Sequence, residues 1–322
     1  MKNDPVILLV TSKHDLAADL LFLELKRRNV SFLRLNSEEF PVKILMSWAP
    51  FAEKEISINE QSFSLNSIKS VWFRKSEAPN LPVDMISEGS QFYLLNNISR
   101  FLGGYWEDAN WFWINKPSKI QAGENKIRQL SIAKQLDFPI PKTVITNNPK
   151  TVREFIELHG NVIAKSLAPP VVEADNSRWG LFTHVVTLQD VSDEMSVRIS
   201  PCIFQERISR KSDLRITVVG KKVFAAEIIV DAHERDNPDW RSIDPQYLKY
   251  KPFMLPSKLS NYCINFLSEL GLSFGAFDFI LTDNGDIFFI EVNPSGQWGW
   301  IEHETGLPIT KELANLLIDG IN

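Results

Sequence analysis

The chain has 322 residues, of which 44% are hydrophobic and 23% charged, a composition that excludes a disordered chain and predicts two or three subdomains. Its net charge of −5 at pH 7 argues against nucleic acid as the main partner, because nucleic-acid binders are more often basic. The 2 cysteines, Cys202 and Cys263, cannot form a disulfide framework and their spacing fits no metal motif, so we expect buried thiols.

The start of the chain predicts neither export nor membrane insertion. The first apolar run, at residues 6–11, is too short for the core of a signal peptide, and Lys13, His14 and Asp15 follow it at once. No stretch of about 18 uncharged apolar residues exists anywhere, so no membrane span is predicted. We therefore expect a cytoplasmic protein with no membrane partner.

The N-terminal region has the pattern of a parallel α/β layer. The predicted strands are residues 6–11, 31–35 and 68–73, and a helix is predicted at 15–28. Leu16, Leu20 and Leu23 have helical spacing and would form the apolar face of that helix. The strand–helix–strand order favours a parallel sheet. No glycine-rich loop follows the first strand, so a Rossmann dinucleotide site is not expected.

The middle of the chain predicts a change of domain and a long loop. After a helix at residues 90–105 comes an aromatic cluster, which we interpret as packing: Trp106, Trp111, Phe112 and Trp113. A boundary is expected at residues 115–117. The elements predicted next are helices at 124–136 and 151–159, a strand at 162–166 and an irregular polar loop at 168–179. Loops of this length in compact domains are often lids or binding loops.

Two hairpins are predicted in the last third of the chain. The first spans residues 215–227 around Gly220-Lys221, and the second spans 275–293 around Asn284-Gly285. Asn-Gly is the preferred pair for a two-residue type I′ turn. In the second hairpin that turn sets the register, with these opposed pairs: Asp278 and Glu291, Phe277 and Val292, Phe279 and Ile290, Leu281 and Phe288.

The second hairpin therefore predicts two acids facing each other. Asp278 would lie opposite Glu291, with Asn293 on the same face, and opposed like charges on a sheet repel unless something compensates them. A magnesium ion would do so, because it prefers oxygen ligands and is often held by one or two carboxylates plus phosphates. The alternative is that both acids point into solvent, and a slip of one residue would send them to opposite faces.

Several polar residues upstream are candidates for nucleotide contacts. Lys165 ends an apolar strand and suits a phosphate, although a lysine that extends to the surface is by itself the commoner case. Lys126 lies at the start of a helix. Gln205-Glu206 and Ile208 follow a strand, and Asp213 and Arg215 share a face of the first hairpin, where a surface ion pair is the alternative.

The order of these parts resembles the ATP-grasp superfamily. More narrowly, the chain resembles the ligases that close microviridins and related graspetides, which are ribosomal peptides with side-chain ester and amide crosslinks. The segments that carry the resemblance are Val71-Trp72-Phe73-Arg74-Lys75, Phe204-Gln205-Glu206, Leu214-Arg215-Ile216-Thr217-Val218-Val219-Gly220, Asp239-Trp240-Arg241 and Glu291-Val292-Asn293-Pro294-Ser295-Gly296-Gln297-Trp298. One departure is that the usually glycine-rich phosphate loop, residues 166–184 here, contains only Gly180.

The resemblance implies an α/β (α+β) fold, with an ATP-grasp fold behind an N-terminal parallel α/β pre-ATP-grasp domain. The implied limits are 1–115 for that domain, 116–188 for a central subdomain with the lid loop, and 189–322 for a C-terminal subdomain with the magnesium site. The implied cofactors are ATP and Mg²⁺. The implied nucleotide contacts are Lys126 and Lys165 at the phosphates, Glu206 and Ile208 at the adenine, and Asp213 at the ribose, with Gln205 as a further nucleotide-binding residue.

The resemblance also implies the reaction. Asp278, Glu291 and Asn293 would bind magnesium, and Arg215 and Arg241 would act on the acid or its acyl phosphate. A carboxylate would attack the γ-phosphate, and a hydroxyl or amine would then displace phosphate. The partner would be a precursor peptide with a leader and a core that contains acidic residues and Thr, Ser or Lys. The sequence leaves open whether the chain forms a homo-oligomer.

Two alternatives remain open at this point. One is an ATP-grasp ligase that adds single amino acids to a small acid or a protein tail. The other is a nucleotide-binding regulator that has lost catalysis, against which the retained Asp278, Glu291, Asn293 and Arg215 argue. A short precursor gene beside this one would favour the peptide ligase, and an ADP-release assay would exclude the regulator.

Overall fold

The computed structural model describes residues 6–82, 86–168, 171–174, 177–180 and 182–321; side chains are not described at 88, 171–174 and 177–180. The N-terminal elements are β1 (Ile7–Thr11), α1 (Leu16–Arg27), β2 (Phe32–Asn36), β3 (Ile44–Ser47), β4 (Glu55–Ile58), β5 (Gln61–Ser64), β6 (Ser70–Phe73), α2 (Glu88–Glu107) and β7 (Phe112–Ile114). Strands β2-β1-β6-β7 form the predicted parallel sheet. An antiparallel β3-β4-β5 sheet accompanies it.

The central elements are α3 (Pro117–Gly123), α4 (Lys126–Gln135), β8 (Thr143–Thr146), α5 (Pro149–His159), β9 (Val162–Lys165), β10 (Val171–Ala174), β11 (Ser177–Gly180), β12 (His184–Val186), α6 (Glu194–Arg198) and β13 (Cys202–Glu206). Strands β12-β9-β13-β8 form an antiparallel sheet. The predicted helix at residues 124–136 starts two residues later than expected, because the side chain of Asn125 caps it by accepting a hydrogen bond from Arg128 N.

The loop predicted at residues 168–179 is wrong in part. Strands β10 and β11 pair with each other in an antiparallel hairpin, with Val171 opposite Gly180 and Ala174 opposite Ser177. The remainder of that segment, and with it the prediction of a lid, lies outside the described residues. Both strands have only four residues, too short a span for a periodic pattern to identify them.

The C-terminal elements are β14 (Ser212–Val219), β15 (Lys222–Val230), β16 (Leu248–Pro252), α7 (Ser257–Leu270), β17 (Phe274–Leu281), β18 (Ile287–Asn293), α8 (Gly299–Thr305) and α9 (Ile309–Asp319). Their antiparallel sheet has the order β16-β15-β14-β17-β18, which places β18 at an edge. Helix α7 packs against one face of it through an aromatic core that includes Phe266, Phe277, Phe279 and Phe289.

One hydrophobic core joins the two ends of the chain. Residues of β1 and α1 pack with residues of α8 and α9, including Leu9, Leu21, Ile301 and Leu313. The N-terminal sheet and the C-terminal helices therefore share a core, and burial of that apolar surface holds them together. The predicted aromatic cluster is also confirmed as packing, since the rings of Trp106, Trp111 and Trp113 lie 5.7–6.4 Å apart.

The predicted apolar face of α1 is wrong. Leu16 and Leu23 are 77% and 64% exposed, whereas the buried stripe consists of Ala17, Ala18, Leu21, Phe22 and Leu25. Small alanine side chains let α1 approach α8 closely, where Gly299 packs beside Ala17. The leucine spacing identified a helix but not its buried side.

The turn of the second hairpin differs from the predicted type I′ turn. The loop has three residues, Asp283 to Gly285, since Thr282 N donates to Asp286 O at 2.9 Å and Gly285 N donates to Thr282 O at 3.0 Å. Gly285 has φ +87°, and Asn284 is absent from the residues with positive φ. This is a type I turn followed by a left-handed glycine, the usual three-residue hairpin.

A bulge corrects the register that this longer loop shifts. Near the turn the pairs are Leu281 with Ile287 and Phe279 with Phe289, so the predicted pairs Phe279–Ile290 and Leu281–Phe288 are wrong. The register then shifts between Asp278 and Phe279, leaving Ile290 as the extra residue. Beyond it Asp278 lies opposite Glu291 and Phe277 opposite Val292, as predicted.

Candidate active site

The candidate site is a cleft between the β9–β13 sheet and the β14–β17–β18 sheet. Two cavities, about 320 Å³ and about 240 Å³ in volume, share Gln205 and the bulged Ile290 in their walls. The first contains Ile163, Ile208, Ile280 and Ile290 from both sheets, for which it is called the apolar end, although charged residues such as Arg207, Arg210 and Asp236 also line it. The second is called the charged end because Lys126, Lys165, Arg241 and Glu291 meet in it beside several apolar residues. The cleft therefore has one end suited to a planar base and another suited to phosphates.

The apolar end surrounds the segment after β13. Its walls include Glu206 and Ile208, with Ile163 on one side and Ile280 on the other. The main chain of Glu206 is fixed by its N–H, which donates to Lys142 O at 2.8 Å. The apolar end can therefore hold a flat ring between isoleucines from both sheets and offer it polar groups along one edge.

Two lysines enter the charged end from different elements. Lys126, the first residue of α4, bonds Glu291 through Nζ and Oε2 at 2.6 Å. Lys165, at the end of β9, donates to Gln205 Oε1 at 2.9 Å. Burial lowers the pKa of Lys165, and Glu291 partly opposes that effect. Lys165 is thus a cleft residue rather than a surface lysine.

The two opposed acids occupy electrostatically different surroundings. Burial raises the pKa of Asp278, an effect that exceeds the opposing charge of Arg215 and is reinforced by Glu291. Burial would also raise the pKa of Glu291, but Lys126 and Arg241 outweigh it and hold the pKa at about 2. Two acids side by side cannot both ionise at low cost, and the surrounding cations decide which one does.

Both predicted arginines contact this pair. Arg215 lies 3.0 Å from Asp278 Oδ1, and its guanidinium carbon lies 5.8 Å from the ring centre of Trp300. Its Nε, although buried, has no hydrogen-bond partner among the described residues. Arg241 binds Asp239 at 2.8 Å and lies 3.5 Å from Glu291 Oε1. The Nε–H group of Arg215 can therefore donate a hydrogen bond to another acceptor.

Asp213 and Asn293 lie at the margins of the cluster. Asp213 bonds Arg210 at 3.0 Å, and burial raises its pKa to about 7 against the opposing charge of Arg210, with Asp278 and Asp239 adding to the rise. Asn293 lies opposite Ala276 and lines the charged cavity, while its Oδ1 accepts from Ser295 N at 2.8 Å.

The structure brings most of the predicted site residues together. The wall of the charged cavity contains Lys126, Lys165, Gln205, Arg241, Glu291 and Asn293, and the wall of the apolar cavity contains Gln205, Glu206 and Ile208. Asp278, Arg215 and Asp213 line neither cavity. Asp278 and Arg215 pair with each other, and Asp213 pairs with Arg210, which lines the apolar cavity. Asp239, which is 4% exposed and fixes Arg241, had no predicted role, although its place two residues before an arginine could have suggested one.

The donor set fits magnesium better than a transition metal. In the described part of the chain no group of three or more His, Cys, Asp and Glu side chains could hold a metal ion. Two carboxylates and one amide oxygen remain, which is the small, all-oxygen set with which magnesium binds when phosphates and waters complete its shell. The same residues are those that the hairpin register predicts.

Comparisons with known families agree with this architecture. The profile of the MvdD pre-ATP grasp domain matches residues 6–121, and the profile of the RimK-like ATP-grasp domain matches residues 123–317. No curated protein matches the chain.

Several solved structures are similar over nearly the whole chain. The RiPP-associated ATP-grasp ligase of Chryseobacterium gregarium, in complex with ADP and a leader and core peptide, is 27% identical with a TM-score of 0.87, covering 97% of this chain and 96% of that chain. The macrocyclase MdnC of Microcystis aeruginosa MRC, bound with precursor peptide MdnA, is 25% identical with a TM-score of 0.88, covering 97% and 99%. The macrocyclase MdnB of the same organism is 28% identical with a TM-score of 0.82, covering 98% and 99%.

Proposed function

The chain belongs to the RimK-like ATP-grasp family, and from this premise we propose that it is an ADP-forming ligase that crosslinks side chains of a ribosomal precursor peptide. The observation that carries the proposal is the pair Asp278 and Glu291, opposed across two strands and surrounded by Lys126, Arg215 and Arg241. Such a cluster has no use in a purely structural sheet, where opposed acids are costly.

ATP is proposed to lie along the cleft with its base at the apolar end. Glu206 and Ile208 would frame the adenine, with Gln205 between the base and the phosphates. Asp213 would face the ribose. Lys126 and Lys165 would contact the phosphates, since both are positive charges within the charged cavity. Each lysine now bonds a neutral or negative side chain, a contact that phosphate oxygens can replace.

Asp278, Glu291 and Asn293 are proposed to hold magnesium beside the phosphates. The ion, when bound, would neutralise phosphate charge that the two lysines alone do not balance. Its binding would also offset the charge of Glu291, which adds to the rise that burial causes in the pKa of Asp278. The low pKa of Glu291 keeps that carboxylate ionised, and so ready as an oxygen donor, at any physiological pH.

The chemistry proposed for the arginines follows from charge. A substrate carboxylate must approach a γ-phosphate of the same sign, and the carboxylate oxygen then bonds to phosphorus while ADP leaves. A hydroxyl or amine next attacks the acyl carbon, loses its proton and displaces phosphate. Arg215 and Arg241 would hold the acid and its acyl phosphate, since the planar guanidinium fork binds either in bidentate fashion.

The substrate is proposed to be a precursor peptide whose leader binds without reacting and whose core supplies the Asp or Glu and the Thr, Ser or Lys side chains. A bound leader raises the local concentration of the core. The similar Chryseobacterium ligase is bound to a leader and core peptide, and MdnC is bound to precursor peptide MdnA. Within this proposal, residues 116–188 form the central subdomain and 189–322 the C-terminal subdomain.

The location of the protein is part of the same proposal. None of the helices in the described residues is long and apolar enough to cross a membrane. An enzyme that consumes ATP and a newly made peptide needs both in one compartment, so we place it in the cytoplasm.

The test is ADP release by the purified protein with ATP, Mg²⁺ and the precursor encoded nearest to its gene. Release that depends on peptide supports the proposal. Glu291→Gln, which keeps the shape of the side chain but removes its charge, should abolish it. Full release by that variant would contradict the assigned role of Glu291.

A further inference from the structure

Strand β18 carries two of the three proposed magnesium ligands, Glu291 and Asn293, yet it lies at the edge of its sheet. The backbone groups that face away from β17 have no neighbouring strand to pair with. Buried backbone N–H and C=O groups must find partners, and a strand without them can shift or fray. The position of Glu291 and Asn293 therefore depends on what satisfies this outer edge.

Gln129 of α4 takes the place of the missing strand at Val292. Its Oε1 accepts from Val292 N at 3.0 Å, and its Nε2 donates to Val292 O at 2.8 Å. The same Nε2 also donates to Gly123 O at 2.7 Å, and the side chain is only 1% exposed. One amide thus bonds both backbone groups of a single residue, as a paired strand would.

Two more buried side chains hold the residues that follow. Asn115 donates to Pro294 O at 2.9 Å, and Arg74 donates to Ser295 O at 3.1 Å and to Gly296 O at 2.6 Å. All three clamping side chains come from outside the sheet. Residues 292 to 296 are consequently held on their outer side by Gln129, Asn115 and Arg74, with Asn293 in the middle of the clamped segment.

Val292 is the link between this clamp and the cleft. It lies between Glu291 and Asn293, so a rotation of its peptide groups would move both side chains. Lys126, which precedes Gln129 by three residues on α4, bonds the Glu291 carboxylate itself. Helix α4 therefore fixes the backbone of Val292 through Gln129 and the carboxylate of Glu291 through Lys126.

From this geometry we infer that Gln129 is a positioning residue, which acts through Val292 to orient Glu291 and Asn293 toward magnesium and nucleotide. The inference rests on the proposed function, since it concerns the same metal pair. It assigns a role to a residue with no charge and no reactive group. Gln129 contributes by fixing the strand, and the clamp explains how an edge strand can hold ligands steadily.

The experiment is a calorimetric titration of ADP into the full chain, with and without Mg²⁺, comparing the unaltered protein with Gln129→Met. Methionine has a similar length but forms no amide bonds. Mg²⁺ should increase the ADP affinity of the unaltered protein, and we expect this increase to be about tenfold smaller in the variant. The ADP affinity without Mg²⁺ should stay within about twofold of that of the unaltered protein. Gln135→Met is the matched control, because Gln135 is an exposed glutamine of the same helix, and its titrations should match the unaltered protein.

A second measurement follows the clamp directly. Amide hydrogen exchange of residues 291–296 should accelerate in Gln129→Met without nucleotide and stay unchanged in Gln135→Met. Gln129→Asn shortens the side chain by one methylene and so moves its amide away from Val292. This variant should therefore behave like the methionine variant. If neither variant folds, Gln129 is a core residue and the inference is overturned.

The titration also separates this inference from the proposed function. Equal loss of ADP affinity with and without Mg²⁺, or no loss at all, overturns the inference alone, provided that the unaltered protein binds ADP more tightly with Mg²⁺. Absence of Mg²⁺-linked ADP binding by the unaltered protein overturns the proposed magnesium site and the inference with it.

Discussion

At the scale of single residues, the cluster shows how neighbouring charges give two similar acids, Glu291 and Asp278, different pKa values. Glu291 and Asp278 are both half-buried acids, yet the pKa of the first is lowered to about 2 and that of the second is raised. The difference comes from the cations each one meets. Sequence could name both acids but not their protonation, because Arg241 reaches Glu291 only through the fold.

Asp213 offers a test of these electrostatics by pH. Its pKa is raised from 3.8 to about 7, so the folded state binds its proton more tightly than the unfolded state does. The free energy of unfolding must therefore fall as pH rises through this window, by about 1.4 kcal/mol per pH unit from this group. Asp213→Asn removes the titration, and its stability relative to the unaltered protein should rise between pH 4 and pH 7 in urea unfolding. A difference independent of pH would contradict the raised pKa.

Lys165 tests the phosphate end of the cleft. Lys165→Ala should weaken ATP binding by on the order of tenfold to a hundredfold, because a charge-assisted hydrogen bond to phosphate contributes about 1.5–3 kcal/mol. Calorimetric titration measures the change. Lys150→Ala is the control, since Lys150 is 78% exposed and pairs with the exposed Glu154 at 3.7 Å. Equal ATP affinity for Lys165→Ala and the unaltered protein would exclude the phosphate role.

At the scale of elements, the sequence predicts the strands of the β17–β18 hairpin and its pair of opposed acids, but not its loop length or its bulge. Alternation of apolar residues predicted the strands, and Asn284-Gly285 predicted the turn, but the loop took three residues instead of two. That shift alone would have moved Glu291 away from Asp278. The bulge at Ile290 restores the pairing, so the predicted metal pair is opposed although the intervening register is wrong. No local sequence pattern predicts the bulge, because its position depends on how both faces of the hairpin pack.

The turn can be tested at Gly285. Its φ of +87° is a conformation that residues with a Cβ rarely adopt, while no neighbouring atom lies within 4 Å of an added Cβ. Gly285→Ala should therefore cost about 1–2 kcal/mol of unfolding free energy through backbone strain alone. Gly104→Ala is the control, since it lies inside α2 with equal space and should stabilise by about 0.5–1 kcal/mol. Denaturant unfolding of both variants checks this; equal effects would show that the turn is not strained.

At the scale of the whole molecule, a fully buried arginine, Arg74, joins the two matched domains. Arg74 of the N-terminal region binds Asp15 at 2.6 Å, both side chains are at most 1% exposed, and the same guanidinium reaches the segment after β18. Its guanidinium carbon also lies 4.4 Å from the ring centre of Trp298. The sequence motif around Arg74 pointed to the family, but the partner 59 residues away could be found only in the structure.

This pair predicts a large stability effect far from the cleft. Asp15→Asn should lower the free energy of unfolding by about 3–5 kcal/mol, because it leaves a buried charge without its partner. Glu154→Gln, which breaks the exposed pair with Lys150, should change it by less than about 0.5 kcal/mol. Thermal unfolding compares the two variants. Similar small shifts in both would mean that Arg74 is held by its carbonyl and aromatic contacts alone.

The central claim is that the acid, metal and arginine cluster joins side chains within one peptide. Mass spectrometry of the matching precursor after incubation with enzyme, ATP and Mg²⁺ tests it most directly. Each crosslink should remove one water, and Arg215→Ala and Arg241→Ala should abolish that loss while ATP still binds. Products that instead gain the mass of an added amino acid would contradict the account and identify a ligase that extends its substrate.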